Sequence, residues 1–91
     1  MYEWDPAKAK SNQEEHGVDF ADAVQVFDNQ YLSKEDTDTV GDQVFVAVGM
    51  DNLGRLLVVV YTYRKDKIRL ISARKATKKE GTEYARRIRF Q

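Results

Sequence analysis

Arg64, Arg69 and Arg74 stand within an eleven-residue stretch. A guanidinium stays charged and grips two oxygens at once, so arginine suits phosphate or carboxylate recognition. Lys67, Lys75, Lys78 and Lys79 are interspersed as point charges, and Arg55 precedes them. Glu80 follows Arg74 by six residues and Tyr84 follows Glu80 by four, which puts Glu80 and Tyr84 on one helical face. Either can join a proton transfer. Each also has a structural reading, Glu80 as a capping-box partner and Tyr84 as part of an apolar stripe. His16 is the sole histidine, the one side chain with an ordinary pKa near neutrality. Its place before Gly17 at a helix end favours a structural role, bonding terminal carbonyls. One histidine and no cysteine cannot supply the usual transition-metal ligands, so neither a metal site nor a cofactor is expected.

These groups need a frame. Leu56 to Tyr63 is a near-continuous apolar, β-branched run, the pattern of a central strand. Ile68 to Arg74 reads as its hairpin partner across Lys65-Asp66, a turn without glycine. A two-residue turn makes Arg64 face Lys67 and Thr62 face Arg69. Strict alternation then places Arg69 and Arg74 on opposite faces. Upstream, Tyr2 to Trp4 alternates as a short strand. Asp5-Pro6 opens a helix to about His16, closed by Gly17 and polar nearly all round, so packing through Ala7 and Ala9 must hold it. Asp19 caps a second helix in which Phe20, Ala23, Val24 and Phe27 recur at helical spacing, ending at Asp28-Asn29. Tyr31 to Lys34 is a short strand, and Glu35 to Asp42 an acidic solvated connection including Asp36 and Asp38. Gln43 to Met50 is an alternating strand, and Asp51 to Gly54 a turn. Thr77-Lys78-Lys79-Glu80 is a capping box opening a last helix striped by Tyr84, Ala85 and Ile88. Arg86, Arg87 and Arg89 extend its basic surface. The expected fold class is α+β: a short N-terminal strand, two helices, an antiparallel β-meander sheet and a C-terminal helix, in one domain over 1–91.

The formal net charge of zero conceals a division. Residues 1–54 hold three Lys and Arg against twelve Asp and Glu, a balance of −9; residues 55–91 hold the reverse, +9. Such a split points to a nucleic acid or an acidic protein partner, or only to two halves that attract each other. No segment approaches the ~18 apolar residues of a membrane span, and Met1-Tyr2-Glu3-Trp4 does not read as a signal peptide. Without cysteine there is no sign of an oxidising compartment. A cytoplasmic protein that contacts no membrane is expected.

Read together, YEWDPAKAKSN (Tyr2–Asn12), HGVDFADAVQVFDN (His16–Asn29), Gly49, GRLLVVVYTYR (Gly54–Arg64) and IRLISARKATKKE (Ile68–Glu80) with Tyr84 resemble the BrnT family of type II toxin–antitoxin systems. The resemblance covers nearly the whole chain in order. It implies a RelE-like ribonuclease fold and RNA cleavage without metal. It also implies a BrnA-like ribbon-helix-helix antitoxin on the basic face, with operator DNA reached only through that antitoxin. On that reading Arg64, Arg74, Glu80, Tyr84 and His16 are the catalytic candidates. Arg69, Lys67, Lys75, Lys78, Lys79 and Arg55 would bind the nucleic acid. Three positions depart from the family pattern. Glu15 stands where a basic residue is usual, Val44 where an arginine is, and Tyr63 where a glutamate is. These changes remove two cations and a carboxylate near the expected site. A catalytically weak module that binds antitoxin or RNA is the alternative.

Overall fold

The structure, a computed structural model, describes residues 1–37 and 43–89. Asp38 and Asp42 of the acidic connection lie outside the described residues, as does the side chain of Arg89. The chain runs β1 (Tyr2–Glu3), α1 (Pro6–His16), α2 (Phe20–Ala23), a 3-10 turn (Val24–Asp28), β2 (Tyr31–Asp36), β3 (Val44–Met50), β4 (Leu56–Arg64), β5 (Lys67–Lys75) and α3 (Lys78–Arg89). The strands form one sheet in the order β1-β5-β4-β3-β2. All neighbours are antiparallel except β1, which lies parallel to the start of β5. The apolar run is therefore the middle strand, as its uniformity demands.

One sheet face holds the core. Ala47, Leu57, Val59, Tyr61, Leu70 and Ala73 pack there against Val18, Phe20, Ala23 and Val26. The second helix differs from its sequence reading: after Ala23 the chain tightens into 3-10 geometry. The fully buried side chains are Phe20, Ala23 and Val26 rather than Val24 and Phe27, because the 3-10 repeat is three residues. Side chains tie that turn down: Gln25 Oε1 accepts from Asn52 N at 2.8 Å, and Asn29 Nδ2 donates to Met50 O at 2.9 Å. Strand β2 also runs two residues beyond Lys34, since Glu35 and Asp36 pair with Phe45 and Val44. Gly49 is required where β3 passes under the 3-10 turn. A Cβ there would sit 2.8 Å from both Tyr31 Cβ and Val26 Cγ1.

Helix α1 is held less by alanines than by one amide. Ala7 is exposed and Ala9 half-buried, while Asn12 is buried. The Asn12 side chain accepts from Ala73 N at 3.0 Å and donates to Ala73 O at 2.8 Å and Val18 O at 2.9 Å. Strand β1 pairs with β5 only at Ile68 and Arg69, so this amide satisfies the backbone further along, where no strand reaches.

The β4–β5 hairpin decides where the cations point. Arg64 pairs with Lys67 and Thr62 with Arg69 across the two-residue turn, as the sequence predicts. Lys65 adopts a positive φ of 57°. The register then shifts between Val60 and Tyr61, leaving Ile71 without a partner, and Arg74 pairs with Val58. Val58 and Thr62 share a parity, so Arg69 and Arg74 lie on the same face, the one opposite the core. The expectation of opposite faces fails because a bulge adds one residue to one strand.

Candidate active site

Helix α3 crosses this outer face and leaves an open cleft of about 830 Å³ between itself and the sheet. Val46, Val48 and Val58 form its floor, and Arg74, Lys79, Glu80, Tyr84, Lys34, Arg86 and Arg87 stand around it. Two local devices place these groups. The capping box forms as predicted: Thr77 N donates to Glu80 Oε1 at 2.8 Å and Glu80 N to Thr77 Oγ1 at 3.1 Å. The Tyr84 hydroxyl donates to Gln30 O at 2.8 Å, fastening α3 to the start of β2.

The centre of the cleft is a paired fork. Arg74 Nη1 and Nη2 donate to Glu80 Oε1 and Oε2 at 2.8 and 2.9 Å. The Arg74 hydrogen bond, then that from Thr77 N, lowers the Glu80 carboxyl from 4.5 to about 2. The same bond raises Arg74 above its ordinary value. Glu80 is thus a fixed anion, far too acidic to accept a proton near neutrality. Arg74 also donates from Nη1 to Lys75 O at 3.3 Å. Of its five N–H donors, Nε–H and the second Nη2–H meet no acceptor among the described residues. Those two N–H groups form the side fork of the guanidinium, a bidentate grip suited to one phosphate. Lys34, Lys79 and Arg87 make no ion pair with another described residue, whereas Arg86 pairs with Glu83.

The remaining candidates fall elsewhere. Arg64 is exposed at the hairpin tip beside Lys67. From Val58, the partner of Arg74, to Arg64 is six strand residues, roughly 20 Å at about 3.3 Å each, so Arg64 and Arg74 do not meet at one phosphate. Arg69 bonds Glu3 at 2.8 Å and by that bond lowers the Glu3 carboxyl. Lys75 pairs with Leu57, a core-facing residue, and so lies off the cleft face; Lys78 is exposed outside the cleft. Arg55 is structural. Its Nε lies 2.8 Å from Asp51 Oδ2 and its Nη2 3.6 Å from Asp22 Oδ2, so its charge is answered inside the fold. His16 is exposed, 3.4 Å from Glu15 Oε2, and does not line the cleft. Lys34, Arg86 and Arg87 were not singled out as site residues from sequence. The i, i+4, i+7, i+8 spacing of Lys79, Glu83, Arg86 and Arg87 could have found the helical pair. Lys34 needs the strand order.

The family model described as "Ribonuclease toxin, BrnT, of type II toxin-antitoxin system" matches residues 4–80. The chain belongs to the BrnT family. Its fold is similar to the crystal structure of the Brucella abortus ribonuclease toxin BrnT, with a TM-score of 0.62 and 25% identity. That match covers 86% of this chain and all of the other. No curated protein matches the chain. The matched BrnT region ends at Glu80, so Arg74 and Glu80 lie inside it while Tyr84, Arg86 and Arg87 lie beyond. Among the described residues, no helix is long and apolar enough to cross a membrane.

Proposed function

We propose that this BrnT protein is an endoribonuclease toxin acting in the cytoplasm, and that it cuts RNA in the α3 cleft without a metal ion. The observation that carries this reading is the side fork of Arg74, fixed above an apolar floor and, among the described residues, free of acceptors and surrounded by cations without ion-pair partners. In the reaction the RNA 2′-oxygen attacks the adjacent phosphorus, its proton passes to solvent water, and the P–O5′ bond breaks. The 5′-oxygen takes up a proton, so the products carry a 2′,3′-cyclic phosphate and a 5′-hydroxyl. Arg74 binds the non-bridging oxygens, on which charge grows in the transition state. Glu80 holds Arg74 in position rather than moving protons. Tyr84 sits on the cleft wall, and passing a proton to the leaving oxygen would require its hydroxyl to turn away from Gln30 O. Lys34, Lys79 and Arg87 bind neighbouring phosphates as point charges. A cleft of this sign repels a divalent cation, and RNA supplies its own nucleophile. Cleavage is expected to persist in EDTA and to spare DNA, which lacks the 2′-hydroxyl. Activity lost in EDTA and restored by a divalent ion would count against the mechanism.

The partner in this reading is an antitoxin of the ribbon-helix-helix kind, which carries any contact with operator DNA. The cleft's cations that pair with no other described residue, and its half-buried Val46 and Val48, fit an amphipathic acidic segment, which would exclude RNA by occupying the same surface. Protection of Lys79 and Arg87 from chemical modification in the complex is the expected result. Equal reactivity with and without antitoxin would sink this assignment.

A further inference from the structure

A second recess lies at the other end of the same sheet face. It is open, about 610 Å³, and lined by Arg64, Lys65, Lys8, Thr62, Arg69 and Ile71 among others. Its chemistry differs from that of the α3 cleft. The floor is polar, with the Thr62 hydroxyl donating to Gln43 O at 2.5 Å. Arg69 is neutralised by Glu3. Lys8, Arg64 and Lys65 make no ion pair with another described residue, although acidic residues outnumber basic ones fourfold over 1–54. Lys8 comes from α1 and the others from the hairpin, so distant parts of the chain converge to place cations here. The bulge at Ile71 makes this recess and the cleft coplanar, because it brings Arg69 and Arg74 onto one face.

We infer that this recess is a second phosphate subsite, occupied by a flanking stretch of the single-stranded RNA whose scissile phosphate sits at Arg74. The inference rests on the ribonuclease reading and adds to it a substrate class: RNA long enough to reach across roughly 20 Å of strand. Arg64 and Lys8 hold the flanking backbone by charge, without reading bases, so the preference is for length rather than sequence.

The test uses 2′-O-methyl oligoribonucleotides, which bind but cannot be cut, with lengths of about four and about sixteen nucleotides, the range of single-strand site sizes. The wild-type protein should bind the longer one more tightly. Arg64→Ala should shrink that long-to-short affinity ratio by roughly three- to tenfold, and Lys8→Ala should shrink it further in combination. For the longer oligonucleotide, each lost contact should flatten the slope of log K against log salt by about 0.7. Both side chains are exposed, so folding is not at stake. An unchanged ratio in the double variant overturns the subsite. A wild-type protein that cuts RNA yet shows no gain with length overturns the subsite alone. A protein that neither binds nor cuts RNA overturns the ribonuclease reading, and the subsite with it.

Discussion

Arg74→Ala is expected to slow single-turnover cleavage at saturating protein about a hundred- to thousandfold. In the proposed mechanism the side fork of Arg74 meets the phosphate oxygens whose charge grows on the way to the transition state. Removing one such pre-organised donor costs roughly 2.7–4 kcal/mol of barrier, by analogy with an oxyanion-hole donor. RNA affinity should change far less, because the neighbouring phosphates keep Lys34, Lys79 and Arg87. Lys79→Ala should do the opposite, weakening binding and flattening its salt dependence while saturated turnover stays near wild type. Arg74→Lys should recover only part of the loss, since an ammonium keeps the charge but not the planar fork. Wild-type rates for Arg74→Ala once RNA saturates would show that the cleft chemistry is misassigned.

Asp51→Ala is expected to lower the free energy of unfolding by about 3 kcal/mol, a large part of the stability of a small domain. Asp51 is 3% exposed, and its carboxylate closes the β3–β4 turn. Oδ1 accepts from Leu53 N at 3.0 Å and Arg55 N at 2.8 Å, and Oδ2 accepts from Arg55 Nε at 2.8 Å. Its removal orphans two backbone amides and leaves the Arg55 guanidinium with only Asp22, 3.6 Å away, as a charged partner, beside a 3.4 Å bond from Nη1 to Gly17 O. Asp22→Ala, whose carboxylate is partly exposed, should cost about 1 kcal/mol or less. Urea denaturation of both variants checks the ranking, and equal shifts would refute it.

The same carboxylate sets an acid limit. Burial pushes Asp51 up, but the bonds from Arg55 outweigh it and the net shift is downward from 3.8. Glu80 is lowered from 4.5 to about 2. A carboxyl whose folded pKa is depressed adds stability in full above its unfolded value and loses it as pH falls through the folded one. The wild-type urea midpoint should therefore fall as the pH drops below about 4.5, and fall less steeply in Asp51→Ala.

Much of this was legible because it is local. Asp5 and Asp19 cap their helices, Gly17 ends α1 with φ 68°, and Thr77 and Glu80 answer each other's amides. All of these follow from groups a few residues apart. The uniform apolar run from Leu56 could only be an inner strand, and the two-residue turn set Arg64 opposite Lys67. The motifs also carried the family. What the residues alone could not decide was which cations meet. Strand alternation is a period of two that one unpaired residue inverts, and the bulge at Ile71 has no sequence mark among Leu70, Ile71 and Ser72. That shift turned Arg74 to the face of α3. The extended length of β4 carried Arg64 some 20 Å away from it. Pairing also took Arg55 out of the basic surface, locally through Asp51 and at long range through Asp22, and Arg69 at long range through Glu3. It brought Lys34 in, from a strand that touches α3 only because the sheet order places β2 at its edge. Charge type and local geometry were written in the sequence; which charges remain unpaired, and on which face, was settled by partners far apart along the chain.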